Sequence, residues 1–460
     1  MNNGSINIIL NLVLIFILSN GGSLFAQTVE FNAIFSDGMV LQQNSKVSIF
    51  GFSKPNQALV LKASWFVGEL SGQSDDKGKF VFELETPNAG GPYKIQVNDN
   101  NIEDVLIGEV WLGSGQSNMQ MRLNEIDVSI KDLDKLPEIR FFTVPVQDSK
   151  FPLDRLNGGK WISGADQGNI RTVSAVSYYY ALTLHQNLNV PIGVISASRG
   201  ASGAEEWIQK ESYNALPENV RTLYTPEPAK YPSSWYNGMI HPLIPYNIKG
   251  VIWYQGENNV ARMTSYPLLI KTLVEGWSRD FEQEDMPFYM VQLPSFKREW
   301  QEFRLIQESI ADSMPQVGLI TTIDLGEEND IHPKRKTEVG QRLAYLALAK
   351  TYKKEFRFSS PRVDQVIIKD DKVLITFHFA ESGLMTSGNE DPKYFEIAGI
   401  DGVFYPAKAK LEGSTIEAKA DEVTNPVSVR YFWMGYGKPN LFSIDGYPVA
   451  PFNHKKYEEK

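Results

Sequence analysis

The sequence predicts an α/β protein: a domain built on a parallel sheet, with β-rich, sandwich-like regions before and after it. Three observations predict this. Short strand patterns punctuated by turns fill the N-terminal part, continuous apolar runs alternate with helical periodicity through the middle, and a second strand-rich stretch follows. Continuous apolar strands are what helices covering both faces of a parallel sheet require. Strands spaced by about ten residues with turns between them mark a small sandwich instead.

The chain of 460 residues, at roughly 100–200 residues per domain, divides into a leader at 1–26, a β-sandwich at 27–106, an α/β domain at 107–352 and a β-rich region at 353–460. Hydrophobic residues at 42%, aromatic at 12% and charged at 22% describe a chain that buries a large core, which excludes disorder as its main theme. A net charge of −10 repels a phosphate backbone and argues against nucleic-acid binding. The absence of cysteine excludes disulfides, thiolate metal sites and cysteine nucleophiles.

The leader reads as an export signal. Its apolar run from Ile8 to Leu18 is broken only by Asn11 and is too short for a bilayer core of ~30 Å. Gly21, Gly22 and Ser23 loosen the chain before Leu24-Phe25-Ala26, which places cleavage before Gln27. The alternative is an uncleaved anchor, since no Lys or Arg precedes the run. The expected location is the periplasm or the outside of the cell, with no membrane contact after cleavage.

Strands are expected at 47–51, 58–62, 79–84 and 93–97, separated by Lys54-Pro55-Asn56, Asp75-Asp76-Lys77-Gly78 and Gly90-Gly91-Pro92. The α/β part should place sheet strands at 109–113, 192–197, 250–254, 288–293 and 317–323. Helices fall at 175–188, at 268–277 and around Val339, Leu343 and Leu346, whose i, i+4, i+7 spacing is amphipathic. Strand patterns return at 372–379 and 427–433.

Ligands of an open parallel sheet bind beyond the carboxyl ends of its strands. Four loops with unusual residues fall there: Ser114-Gly115-Gln116-Ser117-Asn118-Met119, Ser198-Arg199-Gly200-Ala201-Ser202-Gly203, Gln255-Gly256-Glu257-Asn258-Asn259, and Asp324 onward to Asp330-Ile331-His332-Pro333. A serine nucleophile needs a base in reach and donors for the oxyanion. Of the five histidines, His185, His378 and His454 lie in a helix, a strand and the C-terminal stretch. His241 is a reserve candidate in a loop. His332, beside Asp330 and between a strand and a helix, is the preferred base. Ser117 follows the first sheet strand in a glycine-containing turn that leads into a helix start. Its surroundings are not Gly-x-Ser-x-Gly, which excludes the ordinary α/β-hydrolase elbow.

With these residues in view, the chain resembles the sialate O-acetylesterase family of carbohydrate esterases, within the SGNH-hydrolase superfamily. The resemblance rests on Phe35-Ser36-Asp37-Gly38-Met39-Val40-Leu41-Gln42, Val110-Trp111-Leu112-Gly113-Ser114-Gly115-Gln116-Ser117-Asn118-Met119, Val251-Ile252-Trp253-Tyr254-Gln255-Gly256-Glu257-Asn258-Asn259 and Asp330-Ile331-His332-Pro333-Lys334. It covers nearly the whole chain after the leader. It implies an SGNH-type three-layer α/β/α domain, Ser117 as the acetyl-accepting nucleophile and His332 as its base. Oxyanion donors would be the backbone N–H groups of Ser117 and Gly200 and a side-chain amide, with Gln255 and Asn258 both open. Gln116, Asn118, Arg199, His241, Tyr254 and Glu257 are the expected substrate contacts.

Two departures from the family pattern stand out. Asn329 occupies the position three before the histidine, where an aspartate is usual, so Asp330 could complete a triad or a Ser–His dyad could operate with a backbone carbonyl or Glu257 in support. Arg199 stands where an aromatic residue is common; it could bind a sugar carboxylate or pair with Glu205 or Glu206. The expected reaction is removal of O-acetyl groups from sialic acid, with plant-polysaccharide deacetylation, or glycan binding without catalysis, as the alternatives. Nothing in the sequence calls for a metal or cofactor: there is no zinc-hydrolase spacing and no phosphate-binding glycine loop. Oligomeric state is not legible.

Overall fold

A computed structural model of the chain describes residues 29–129, 133–225 and 231–455. The leader at 1–26 lies outside the described residues.

The spine of the molecule is one long strand, Asn100–Gly115. Its first half pairs antiparallel with Gly90–Val97 and parallel with Val40–Gln42. From Glu109 onward it lies parallel between Ile192–Ser198 and Gly250–Tyr254. The expected boundary between residues 106 and 107 therefore falls inside a strand. Burial along it explains why: exposed and buried positions mix up to Asp104, and every residue from Val105 on is buried. A sandwich strand becomes a parallel-sheet strand with no loop between.

Across the sheet the order is Trp161–Ser163, Ile139–Thr143, Ile192–Ser198, Asn100–Gly115, Gly250–Tyr254, Phe288–Val291, Val317–Ile320. All these neighbours are parallel except the first pair. Successive residues of the central strands enter different cores. Leu112, Val251, Trp253, Phe288 and Met290 share one core with the Tyr266–Asp280 and Gln301–Ser313 helices. Trp111, Ile252, Tyr254, Tyr289 and Val291 share the other with Ala175–Leu188 and Lys336–Lys350. Period-two alternation between two apolar cores buries both faces of the sheet.

In the N-terminal region, the sheet of Glu30–Phe31, Lys46–Phe52 and Lys79–Glu85 faces Ala58–Ala63 and Gly90–Val97 across a core that includes Ile49, Phe82, Leu61 and Ile95. The C-terminal region holds two four-stranded antiparallel sheets, with Ile375, Ile397, Ile416 and Tyr431 in a core of their own. Buried Glu109 ties regions together, accepting from Gln42 at 3.1 Å, Gln43 at 2.7 Å and the Tyr352 hydroxyl at 2.9 Å.

Candidate active site

Strand Asn100–Gly115 ends in a sharp turn. Gly115 has φ +133°, and a Cβ built there would lie 2.2 Å from the Tyr254 carbonyl oxygen, so both conformation and space require glycine. Gln116 N–H then bonds that carbonyl at 2.9 Å, and Ser117 opens the short helix Ser117–Gln120. The first N–H groups of a helix have no acceptor within it.

His332 Nε2 lies 2.8 Å from Ser117 Oγ, a contact spanning 215 residues of sequence. The two side chains line an open cleft of about 440 Å³ with Gln120, Met121, Arg122, Glu125, Asp330 and Lys334. Burial lowers the His332 pKa from its ordinary value, Asp330 opposes that, and Lys336 and Lys334 reinforce it. Asp330 Oδ1 accepts the His332 backbone N–H at 2.8 Å but stands 3.9 Å from the ring Nδ1, beyond hydrogen-bond range. Its influence on the ring is that of a nearby charge. Glu257, the other carboxylate considered as a support, bonds Asn118 at 2.6 Å.

Gly200 lies beside Ser117, a Cβ built on it falling 3.6 Å from Ser117 Cβ, and its N–H donates to Gln120 Oε1 at 2.8 Å. Hydrogen counting separates the two candidate amides. Gln255 is fully buried and both its N–H hydrogens are engaged, with Ser202 O at 3.1 Å and Asn259 Oδ1 at 2.8 Å. Asn258 is only half-buried; its Nδ2 bonds Ala201 O at 3.2 Å, next to Gly200, and its backbone N–H lies 3.4 Å from Gln116 Oε1.

Most of the expected substrate contacts have partners within the protein. Gln116 is buried and accepts the Gly256 and Asn258 backbone N–H groups, joining the first loop to the third. Asn118 is fully buried; Nδ2 donates to Glu257 and to Ile331 O at 3.0 Å, while Oδ1 accepts from Lys336 Nζ at 2.5 Å. Tyr254 is fully buried, with Lys336 Nζ 5.2 Å from its ring, so it has no face to offer a sugar. Glu257 is buried, and burial raises its pKa. His241 Nδ1 is tied to Leu153 O at 2.9 Å and is not a cleft residue. Arg199 is exposed, with its guanidinium 5.5 Å from the Trp235 ring. The Glu205 carboxylate considered for it is bonded by Arg262 and Asn259.

The sequence reading missed Gln120, Arg122, Glu125 and Lys334 on the cleft wall, and Lys336 beneath it. Gln120 had a usable signal, since helical spacing puts it one turn after Ser117. Lys336 had none: in Lys334-Arg335-Lys336 it looks like a solvated helix start. It is in fact fully buried, and burial pushes its ammonium down to about 7. Among the described residues, no group of three or more His, Asp or Glu side chains is placed to hold a metal ion.

Residues 107–349, more than half the chain, match the family described as carbohydrate esterase, sialic acid-specific acetylesterase. The human sialate O-acetylesterase is 26% identical over 427 residues, covering 80% of this chain and 80% of that protein. The mouse enzyme is 26% identical over 445 residues, covering 80% and 82%. A solved carbohydrate acetylesterase from Xanthomonas citri superposes with a TM-score of 0.85 at 31% identity, covering 93% of this chain and all of that one. The class is thereby defined: this is a carbohydrate esterase, a carboxylic ester hydrolase. More narrowly, the chain belongs to the sialic acid-specific acetylesterase family.

Proposed function

We propose that the protein hydrolyses O-acetyl esters on sugars, with acetylated sialic acid as the favoured substrate, through an acetyl–Ser117 intermediate. The observation that carries this reading is the 2.8 Å contact between Ser117 Oγ and His332 Nε2 at the wall of an open cleft. Neutral His332 takes the hydroxyl proton as Oγ attacks the acetyl carbonyl, then returns it to the departing sugar hydroxyl. His332 next takes a proton from water, which attacks the acetyl–Ser117 carbonyl; acetate leaves and Ser117 recovers its proton. The backbone N–H groups of Ser117 and Gly200 and the Asn258 amide stabilise the oxyanion. For this, Gly200 N–H exchanges its Gln120 partner for the ester oxygen.

The layered packing around the parallel sheet supports placing this domain in the SGNH-hydrolase superfamily. Arg122 and Lys334 in the cleft suit a sugar bearing a carboxylate, although Glu125 and Asp330 line it too. Export through the leader would bring the enzyme to such sugars outside the cytoplasm, and the two β regions serve as scaffold.

The test is acetate release from a panel of acetylated sialic acid, acetylated xylan and an aryl acetate. Ser117→Ala should lower kcat on the order of 10⁴-fold or more while the protein stays folded. Unchanged turnover would end the proposal, and a preference for xylan over sialic acid would move the substrate to the neutral polysaccharides.

A further inference from the structure

Arg262 belongs to none of the motifs considered above. It lies in the Val260–Ser265 segment after the third loop. Its guanidinium forks onto Glu205, with Nε to Oε1 at 2.6 Å and Nη2 to Oε2 at 3.0 Å. It also reaches Asn258 twice, Nη1 to the carbonyl at 2.8 Å and Nη2 to Oδ1 at 2.7 Å. Glu205 is only 2% exposed and holds Asn259 Nδ2 as well, at 3.1 and 3.2 Å. The guanidinium is therefore anchored from below before it meets Asn258.

The two ends of a side-chain amide are almost the same shape, and a half-turn about the last torsion exchanges them. An arginine has five N–H donors and no acceptor, so only the oxygen end of Asn258 can face it. Nδ2 must point the other way. One of its hydrogens meets Ala201 O, and the other has no acceptor among the described residues. The reversed amide would set its N–H₂ against the guanidinium and aim its oxygen at an oxyanion, which repels both.

We infer that Arg262 is a positioning residue: anchored on Glu205, it fixes Asn258 Nδ2 as the end of the amide that faces the ester oxygen. This rests on Asn258 being an oxyanion donor.

A double-mutant cycle on kcat for an aryl acetate tests it. Asn258→Ala should lower kcat about 100-fold with little change in KM, as loss of one oxyanion donor does. Arg262→Met should lower kcat about tenfold or more, again with KM nearly constant, because an amide free to turn supplies its donor only part of the time. Combined with Asn258→Ala, Arg262→Met should add less than about threefold, since nothing is left to orient. Because Arg262→Met strands a buried carboxylate, Glu205→Gln/Arg262→Met is measured beside it, with thermal unfolding as the check on folding; it should show the same kcat loss and the same lack of additivity. Independent, multiplying losses from the two positions would overturn the inference while leaving Asn258 as a donor. Full activity in Asn258→Ala would remove the oxyanion reading, and the role of Arg262 with it.

Discussion

His332 is the group whose protonation state governs the proposed chemistry, and three kinds of neighbour act on it. Burial lowers its pKa most, Asp330 raises it, Lys336 and Lys334 lower it again, and Glu125 raises it slightly. A general base works in its neutral form, so kcat/KM should rise with pH along an acid limb whose midpoint lies below the ordinary histidine value of about 6.5. Asp330→Asn removes an influence that raises the pKa, so the limb should move to still lower pH. Its kcat should fall by less than about tenfold, far short of the ~10⁴ expected of a carboxylate that orients the ring, because Oδ1 stands 3.9 Å from Nδ1. A pH–rate profile of the two enzymes decides both points; a limb moving upward, or a collapse of kcat, contradicts them. At this scale, the meeting of Ser117 with His332 was legible, because chemistry restricts candidate nucleophiles and bases to few residue types. Which amide has a hydrogen left to donate was not, because it depends on the partners of Gln255 and Asn258.

Strand ends and the turns after them determine where those side chains go. Gly115 turns the chain at φ +133° hard against the Tyr254 carbonyl, so Gly115→Ala should destabilise the fold by at least about 1–3 kcal/mol from backbone strain alone. Any protein that still folds should have displaced Ser117, two residues on. Urea unfolding together with esterase rate checks this; wild-type stability and rate in Gly115→Ala would refute the local geometry. Strands with uninterrupted apolar runs were readable, and the helix at 175–188 has the bounds the pattern gave. The Ile139–Thr143 strand and the Gln301–Ser313 helix were not. Each buries polar side chains on its packed face: Arg140, paired with Asp104 at 2.9 Å, in the first, and Arg304 and Gln307 in the second. Polar residues in those positions erase the periodicity that sequence patterns rely on.

Arg304 also shows how the whole molecule is held together. Fully buried, it pairs with no carboxylate among the described residues; instead it donates to Leu293 O at 3.0 Å, Pro294 O at 2.8 Å, Met434 O at 2.8 Å and Gly435 O at 2.8 Å, two carbonyls in the α/β domain and two in the C-terminal region. Burial pulls its pKa down to about 9, which leaves it charged at neutral pH. The same seam includes Ser295, whose Oγ donates to Gly437 O and accepts from Gly437 N–H, both at 2.9 Å. Ser295 in turn lies against Gly326, where a Cβ would come within 1.9 Å of the Ser295 carbonyl oxygen, and Gly326 begins the loop that carries His332. The C-terminal region therefore backs, through Ser295, the start of the loop that carries His332. Arg304→Met takes the donor away from all four: the buried Leu293 and Pro294 carbonyls cost roughly 1–3 kcal/mol each when left unsatisfied, while Gly435 O keeps the Phe296 N–H at 2.9 Å, so the unfolding midpoint should drop clearly. Arg304→Lys should recover only part of the loss, because one ammonium has three donors and no planar fork. Esterase activity should fall with stability in both variants, as the start of the His332 loop loses its backing. Thermal unfolding and kcat measured on the same samples decide it, and a Lys variant as stable as the native protein would mean that charge, not the fork across the seam, is what this position supplies.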